Sequence, residues 1–257
     1  MSAARENTRR PLPPLPEPRS SWALFLDVDG TLAGFRDDPD DVRVPASLKA
    51  TLAALHAVSG GAVALVSGRH LRDLDRLLGP PLVAASGLHG LQRRRADGSR
   101  DDIAPASDQA DILHRHVDAL AARMPRLGVE DKGVCMTLHY RATPALEQAV
   151  TDAARAISDQ LDGYETQPGN CSIDIKPAGI DKGRAVTAFA DESPFAGRTP
   201  VYVGDDLTDE HAFAAVNVRA GISIRVGDRE PTQARFGLRD PRAVEAWLLD
   251  VLKHLRT

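Results

Sequence analysis

The stretch "ALFLDVDGTLAG" (23–34) carries an apolar run into Asp27 and Asp29, one residue apart, and then into Gly30 and Thr31. Two carboxylates about 4 Å apart repel by roughly 4 kcal/mol at the effective dielectric of a protein surface. A cation, a reaction or plain hydration has to offset that. Further polar groups close other apolar runs. Ser67-Gly68-Arg69 ends "GAVALVSGR", Gly204-Asp205-Asp206 ends "PVYVGDD", Asp209 follows three residues on, and Lys182 opens a helical segment. Singly, each has a structural reading: an Asp after a strand caps a helix or forms a turn, and a lysine is solvated. Jointly they suit attack of a carboxylate on phosphorus. Asp27, ionised at neutral pH with an ordinary pKa of about 3.9, is the candidate nucleophile. Asp29 would protonate the leaving oxygen and then activate water. Mg²⁺ takes oxygen ligands and few carboxylates, which fits Asp27, Asp205 and the backbone carbonyl of Asp29. Asp206 and Asp209 either bind the ion or orient its waters. Thr31, Ser67 and Lys182 would hold the remaining phosphate oxygens.

Other readings of the Asp-x-Asp pair fit less well. An EF-hand loop needs a preceding helix and a terminal Glu, whereas a strand precedes Asp27 and the twelfth position is Asp38. Neither the P-loop pattern nor the dinucleotide fingerprint occurs.

The elements that must position these groups alternate. Apolar strands are expected at 22–28, 61–69, 81–87, 200–206 and 221–226, with helices at 45–58, 70–78, 181–190, 208–216 and 240–255. Near-continuous apolar strands between helices predict a parallel sheet covered on both faces, in which ligands bind beyond the strands' carboxyl ends. An interval of different grammar interrupts this core. It has a hairpin turn at Asp97-Gly98, helical spacing over 108–123 and 144–160, and strands "VCMTLHYR" (134–141) and "NCSIDIK" (170–176) with two-residue alternation. Met136, Leu138 and Tyr140 oppose Thr137, His139 and Arg141, while Ile173 and Ile175 oppose Asn170, Asp174 and Lys176. One-sided strands predict an α+β layer with an open sheet face. The expected organisation is a Pro-rich disordered tail (1–20), an α/β core (21–92 and 178–257) and an inserted unit (93–177).

The 257 residues, 42% hydrophobic and 26% charged, suit a globular enzyme, and a net charge of −4 argues against nucleic acid as partner. No apolar run approaches the ~20 residues of a membrane span, and the N-terminus lacks a signal peptide's apolar region. Cys135 and Cys171, distant and without a CxxC partner, read as small hydrophobes in a reducing compartment. The expected location is cytoplasmic.

"DVDGT", "VSGR", Lys182 and "GDDLTDE" resemble, in order, the four motifs of the haloacid dehalogenase (HAD) phosphatases. The resemblance implies a Rossmann-like HAD core with a parallel sheet and an inserted α+β (C2B-type) cap. More narrowly, "GLHG", "EDKGVCMTLHYR", "PGNCSIDIKPAGIDKG" and "GDDLTDE" are similar to the trehalose-6-phosphate phosphatase family over roughly residues 22–250. That similarity implies Mg²⁺-dependent hydrolysis of trehalose 6-phosphate and a functional link to a trehalose-phosphate synthase. It assigns sugar contacts to Glu130, Lys132, His139, Arg141, Asn170, Asp174 and Lys176. Arg69 is a further candidate substrate contact, and His89, in the crossover to the cap, either touches substrate or stiffens the hinge. The chain departs from the family's usual pattern at Asp174, where Glu is usual, and at Asn170, near which a basic residue is usual. The alternatives are a phosphatase for sucrose phosphate or a glucosylglycerol-type phosphate, or a non-catalytic sugar-phosphate-binding subunit. The latter has no need of Asp27 and Asp29 together with Lys182 and Asp205.

Overall fold

The computed structural model describes residues 13–34, 41–79, 83–103 and 107–257. Seven strands form the larger sheet: β1 (Trp22–Leu26), β2 (Val63–Val66), β3 (Ala84–Gly87), β4 (Gln92–Arg94), and, after a long interval in sequence, β9 (Thr199–Gly204), β10 (Ile222–Val226) and β11 (Phe236–Leu238). Their order is β11-β10-β9-β1-β2-β3-β4, with every pair parallel except β3 and β4. The order reverses direction at β1, which pairs with β2 on one side and β9 on the other. That switch point is where an α/β sheet opens a crevice beyond its strand ends.

The helices α1 (Ala46–Val58), α2 (Leu71–Leu78), α5 (Lys182–Ala190), α6 (Glu210–Val218) and α7 (Pro241–Arg256) accompany this sheet. Pro45 precedes α1, and the side chains of Asp181 and Asp240 cap α5 and α7 by accepting from the backbone N–H groups of Arg184 and Ala243. Two apolar clusters form. One gathers Leu24, Leu26, Val203 and Ile224 with Leu48, Leu55 and Leu248; the other gathers Phe25, Ala64 and Tyr202 with Val186, Phe189 and Phe213. Alternate residues of β1 therefore point to opposite, equally buried faces, as a doubly covered sheet requires.

The interval holds α3 (Ser107–Arg123), β5 (Gly128–Asp131), β6 (Met136–His139), α4 (Glu147–Ser158), β7 (Tyr164–Gly169) and β8 (Ser172–Pro177). The strands make an antiparallel sheet in the order β5-β6-β8-β7. Met136, Leu138, Tyr140, Ile173 and Ile175 pack with Leu113, Val117 and Val150 of the two helices. The other face is open only in part: His139, Arg141 and Asn170 on it keep solvent exposure. Thr137, Asp174 and Lys176 are buried on it, because it is turned toward the larger sheet's carboxyl end.

Other departures have local causes. The first strand stops at Leu26, because the Val28 carbonyl accepts from the N–H groups of Thr31, Leu32 and Ala33 and folds the chain into a turn. β5 and β7 escaped the sequence reading because they are edge strands of charged, Gly- and Pro-bearing sequence ("GVED", "YETQPG"). β4 belongs to the larger sheet, so residues 93 and 94 run with the core. The expected disorder of the leader lies, up to residue 12, outside the described residues. From residue 13 the leader lies against the fold, with Leu15 packed on the first apolar cluster.

Candidate active site

The carboxyl ends of β1, β2 and β9 and the start of α5 meet at one point. Asp27 is buried beneath a cleft of about 810 Å³, its open mouth included, and Lys182 donates to Asp27 Oδ1 at 2.7 Å and to Asp209 Oδ1 at 2.6 Å. Thr31 and Ser67 are buried beside them, and the Thr31 hydroxyl donates to Asp205 Oδ1 at 3.3 Å. Gly30 has a φ of +83°, and a Cβ there would lie 2.1 Å from Asp205 Oδ2. The glycine of "DGT" therefore allows the first and third strand ends to touch.

Carboxylate oxygens of Asp27, Asp205 and Asp209 lie within 4.8 Å of one another. Hydrogen bonding separates their roles. Asp209 Oδ1 accepts from Lys182 and from the Tyr202 hydroxyl at 2.7 Å, and Oδ2 accepts from the backbone N–H groups of Asp205 and Asp206, both at 2.8 Å. Two donors per oxygen fill the carboxylate. Asp209 thus positions the loop, and the oxygens open to a cation belong to Asp27 and Asp205. Asp206 reciprocates by capping the 207–209 turn, its side chain accepting from the Asp209 N–H. Arg229, missed in the sequence because it carries no motif, ties the same loop from outside. It donates to the carbonyls of Asp205 and Asp206 at 3.3 and 3.0 Å and to Glu210 at 2.7 Å.

Burial pushes the Asp27 carboxyl up to about 7; Lys182 pulls against it, while Asp209 and Asp29 add to it. Asp205 is driven well above the usual carboxylate range by burial and then by Asp27, Asp209 and Asp206. Lys182 is held charged well above the usual lysine value, since Asp209 and Asp27 outweigh its burial. Such crowded carboxylates favour a divalent cation, which relieves their repulsion, so the donor set fits Mg²⁺.

Asp29 lines the same cleft as Asp27. Arg69 forks onto it, Nε to Oδ2 and Nη2 to Oδ1, both at 2.7 Å. The roof of the cleft is the polar face of the smaller sheet. His139 Nε2 lies 3.1 Å and Lys132 Nζ 3.5 Å from Glu130 Oε2. Asp174 accepts from the Thr137 hydroxyl and sits 3.2 Å from His89 Nε2. Burial works to raise the Asp174 carboxyl, but Lys132, His89 and Thr137 outweigh it and hold it below the usual range. Burial lowers the His89 imidazole. Arg141 donates to the Asn170 carbonyl at 3.1 Å. Arg69, His89, Glu130, Lys132, His139, Arg141, Asn170 and Asp174 all line the cleft. Lys176 does not: it donates to Glu165 at 2.7 Å and to the Ile180 carbonyl, joining β8 to β7 and to the return crossover. Thr137 and Ser172 also line the cleft, and only the place of Thr137 in the alternation marked it beforehand.

The comparisons with known proteins agree with this geometry. The model of the trehalose-phosphatase family matches residues 25–242. A trehalose-6-phosphate phosphatase of Escherichia coli is 39% identical over 238 residues, covering 93% of this chain and 89% of its own. A probable trehalose-phosphate phosphatase of Sinorhizobium fredii is 42% identical over 224 residues, covering 84% and 82%. The C-terminal domain of Candida albicans trehalose-6-phosphate phosphatase superposes with a TM-score of 0.80, at 21% identity, over 91% of this chain and 93% of that one. By family model and by close relatives of nearly full length, this chain belongs to the trehalose-phosphatase family of phosphomonoester hydrolases.

Proposed function

We propose that this protein hydrolyses trehalose 6-phosphate to trehalose and phosphate through an aspartyl-phosphate on Asp27. The observation that carries the reading is the pairing of the Asp27–Lys182 floor, at 2.7 Å, with a polar roof that includes Glu130, Lys132 and His139. The floor supplies phosphoryl chemistry, and the roof supplies donors and acceptors for vicinal hydroxyls.

Asp27 attacks phosphorus, and the bond from phosphorus to the sugar oxygen breaks. Asp29 gives that oxygen a proton as it leaves. Asp29 then takes a proton from water as the water attacks the phosphoryl group, and Asp27 departs as a carboxylate. Lys182, Thr31 and Ser67 bind the phosphate oxygens throughout. Asp27 and Asp205, with the Asp29 carbonyl, would hold Mg²⁺, which when bound supplies positive charge against the phosphoryl oxygens. Asp206 and Asp209 keep that loop in place. The unit expected at 93–177 acts as a cap that excludes water and reads the sugar. Its contacts, with Arg69 and His89 from the core, are Glu130, Lys132, His139, Arg141, Asn170 and Asp174. The substrate is the product of a trehalose-phosphate synthase, and both reactions belong in the cytoplasm. Among the described residues no helix is long and apolar enough to cross a membrane.

The test is phosphate release from a panel of sugar phosphates with and without Mg²⁺. Trehalose 6-phosphate is expected to stand far above sucrose 6-phosphate, glucosylglycerol phosphate and glucose 6-phosphate, and only with the metal. A flat panel, or turnover in chelator, overturns the reading.

A further inference from the structure

Four polar side chains stand in one row across the smaller sheet. Strand register places Gln167 opposite Asp174, Asp174 opposite Thr137, and Thr137 opposite Glu130. Residues directly opposite one another send their side chains to the same face, with Cβ atoms about 4.5–5.5 Å apart. Three members of the row line the cleft, and so does Gly169, two residues beyond Gln167 on the same face of β7. Gln167 is the next side chain on that face. It is 6% exposed, and among the described residues neither its Oε1 nor its Nε2 meets a partner. The strand that carries it packs on the Leu207–Asp209 turn, whose Thr208 reaches the cleft.

A buried carboxamide with both ends unpaired destabilises a fold, because donor and acceptor have each lost water without replacement. Leu or Met at this position would be free of that cost. The other members of the row each have partners: Asp174 has Thr137 and His89, and Glu130 has His139 and Lys132 at one oxygen. Gln167 alone has a free donor and a free acceptor beside a carboxylate that faces the substrate space. A carboxamide offers those two groups at a spacing that neighbouring hydroxyls of a sugar ring can bridge.

We infer that Gln167 is a further specificity-determining residue, its carboxamide pairing with hydroxyl groups of the sugar in the closed complex. The inference rests on the sugar-phosphatase reading above. It assigns Gln167 a task distinct from those of the Asp174–His89 and Glu130–His139 pairs, at the edge where the cap meets the catalytic loop.

The experiment compares wild type and Gln167→Met in the full chain, with trehalose 6-phosphate and p-nitrophenyl phosphate as substrates and thermal unfolding as a third readout. For the variant, kcat/KM on trehalose 6-phosphate is expected to fall about tenfold more than on the aryl phosphate, with most of the change in KM. Its Tm is expected to rise by about 2–4 °C, since the unpaired amide is gone. Gln167→Glu, which keeps two acceptors but loses the donor, should be similarly impaired on the sugar phosphate. Equal losses on both substrates, or a lowered Tm with unchanged KM, assign Gln167 to packing and overturn the inference. Wild type that hydrolyses the aryl phosphate but not trehalose 6-phosphate overturns the functional reading itself. That result is distinct from a Gln167 variant indistinguishable from an active wild type.

Discussion

Arg69 holds Asp29 by both carboxylate oxygens, with two bonds of 2.7 Å from one guanidinium. Asp29 is thereby tied to the residue that follows the end of β2, while it lines the same cleft as Asp27. Two like charges that would repel by roughly 4 kcal/mol if they faced one another are kept on separate partners, Lys182 and Arg69. A proton on Asp29 makes that oxygen a poor acceptor for a guanidinium, so acid catalysis requires one arm of the fork to open.

Arg69→Lys keeps the charge but cannot reproduce the two-point grip. Its kcat is expected to fall about tenfold or more, while the Mg²⁺ concentration for half-maximal rate stays near that of wild type. Steady-state kinetics across a metal titration check this. An unchanged kcat would mean that the fork does not orient the acid.

Asp27→Asn should abolish phosphate release and leave the fold standing. Lys182 keeps its bond to Asp209, and burial already disfavours charge at position 27. Malachite-green phosphate detection alongside thermal unfolding separates the two effects. Residual turnover above background would remove the covalent step from the mechanism.

The two aspartates at the end of β9 should part company under mutation. Asp205→Ala removes an oxygen open to the cation, so the Mg²⁺ requirement should rise at least tenfold with little loss of stability. Burial and three neighbouring carboxylates already work against the charge on Asp205. Asp209→Ala leaves Lys182 with Asp27 alone, takes away the acceptor of the Tyr202 hydroxyl and frees two loop N–H groups. It should cost on the order of 3–5 kcal/mol, read as the denaturation midpoint in the absence of metal. If both variants behave alike, the division between ligand and loop anchor is wrong.

The motif residues were legible in sequence because chemistry requires their types and the strand ends fix their spacing. Asp27, Ser67 and Asp205 needed only the apolar runs before them to be placed at one edge, and Lys182 its place at the start of a helical segment. The alternation of β6 and β8 likewise named the polar face of the smaller sheet. What alternation could not say is what that face meets, which is why it read as open to water and is in fact buried in part over the cleft. Lys176 sits on the expected face, yet its length takes it sideways to Glu165 and the Ile180 carbonyl. Arg229 and Gln167 carried no motif, and their importance comes from partners far away in the chain or missing altogether.

Asp174 makes stability depend on acid. Its carboxyl is held below the ordinary range, because Lys132, His89 and Thr137 outweigh its burial. A depressed folded-state pKa contributes stability at pH values above the unfolded value of about 3.9, and that contribution is lost as pH falls further. The wild type should therefore lose Tm progressively as pH falls from about 5 through the unfolded value of about 3.9 and on below it. Asp174→Asn should be less stable at pH 7, by on the order of 3 kcal/mol, since Lys132 keeps its charge without its strongest counter-charge. Its Tm should also vary less with acid than the wild type's over the same window. Parallel Tm curves for the two proteins would show that Asp174 is not the group that titrates.

Glu130 tests whether the roof reads sugar or merely closes. Its Oε2 lies between His139 at 3.1 Å and Lys132 at 3.5 Å, so one oxygen is engaged and the other can turn to the cleft. Lys132 and His139 hold the carboxyl below its usual range even though burial works to raise it. Glu130 thus stays an acceptor at neutral pH and suits a sugar hydroxyl. Glu130→Gln removes the charge but keeps one acceptor, whereas Glu130→Ala removes both and leaves Lys132 nearly buried beside a gap. On trehalose 6-phosphate, kcat/KM should fall by about 10²-fold for Ala and less for Gln. On p-nitrophenyl phosphate, which has no hydroxyls to read, the Ala loss should be at least tenfold smaller. Equal losses on the two substrates would make Glu130 a strut of the cap and move sugar recognition to other residues of the roof.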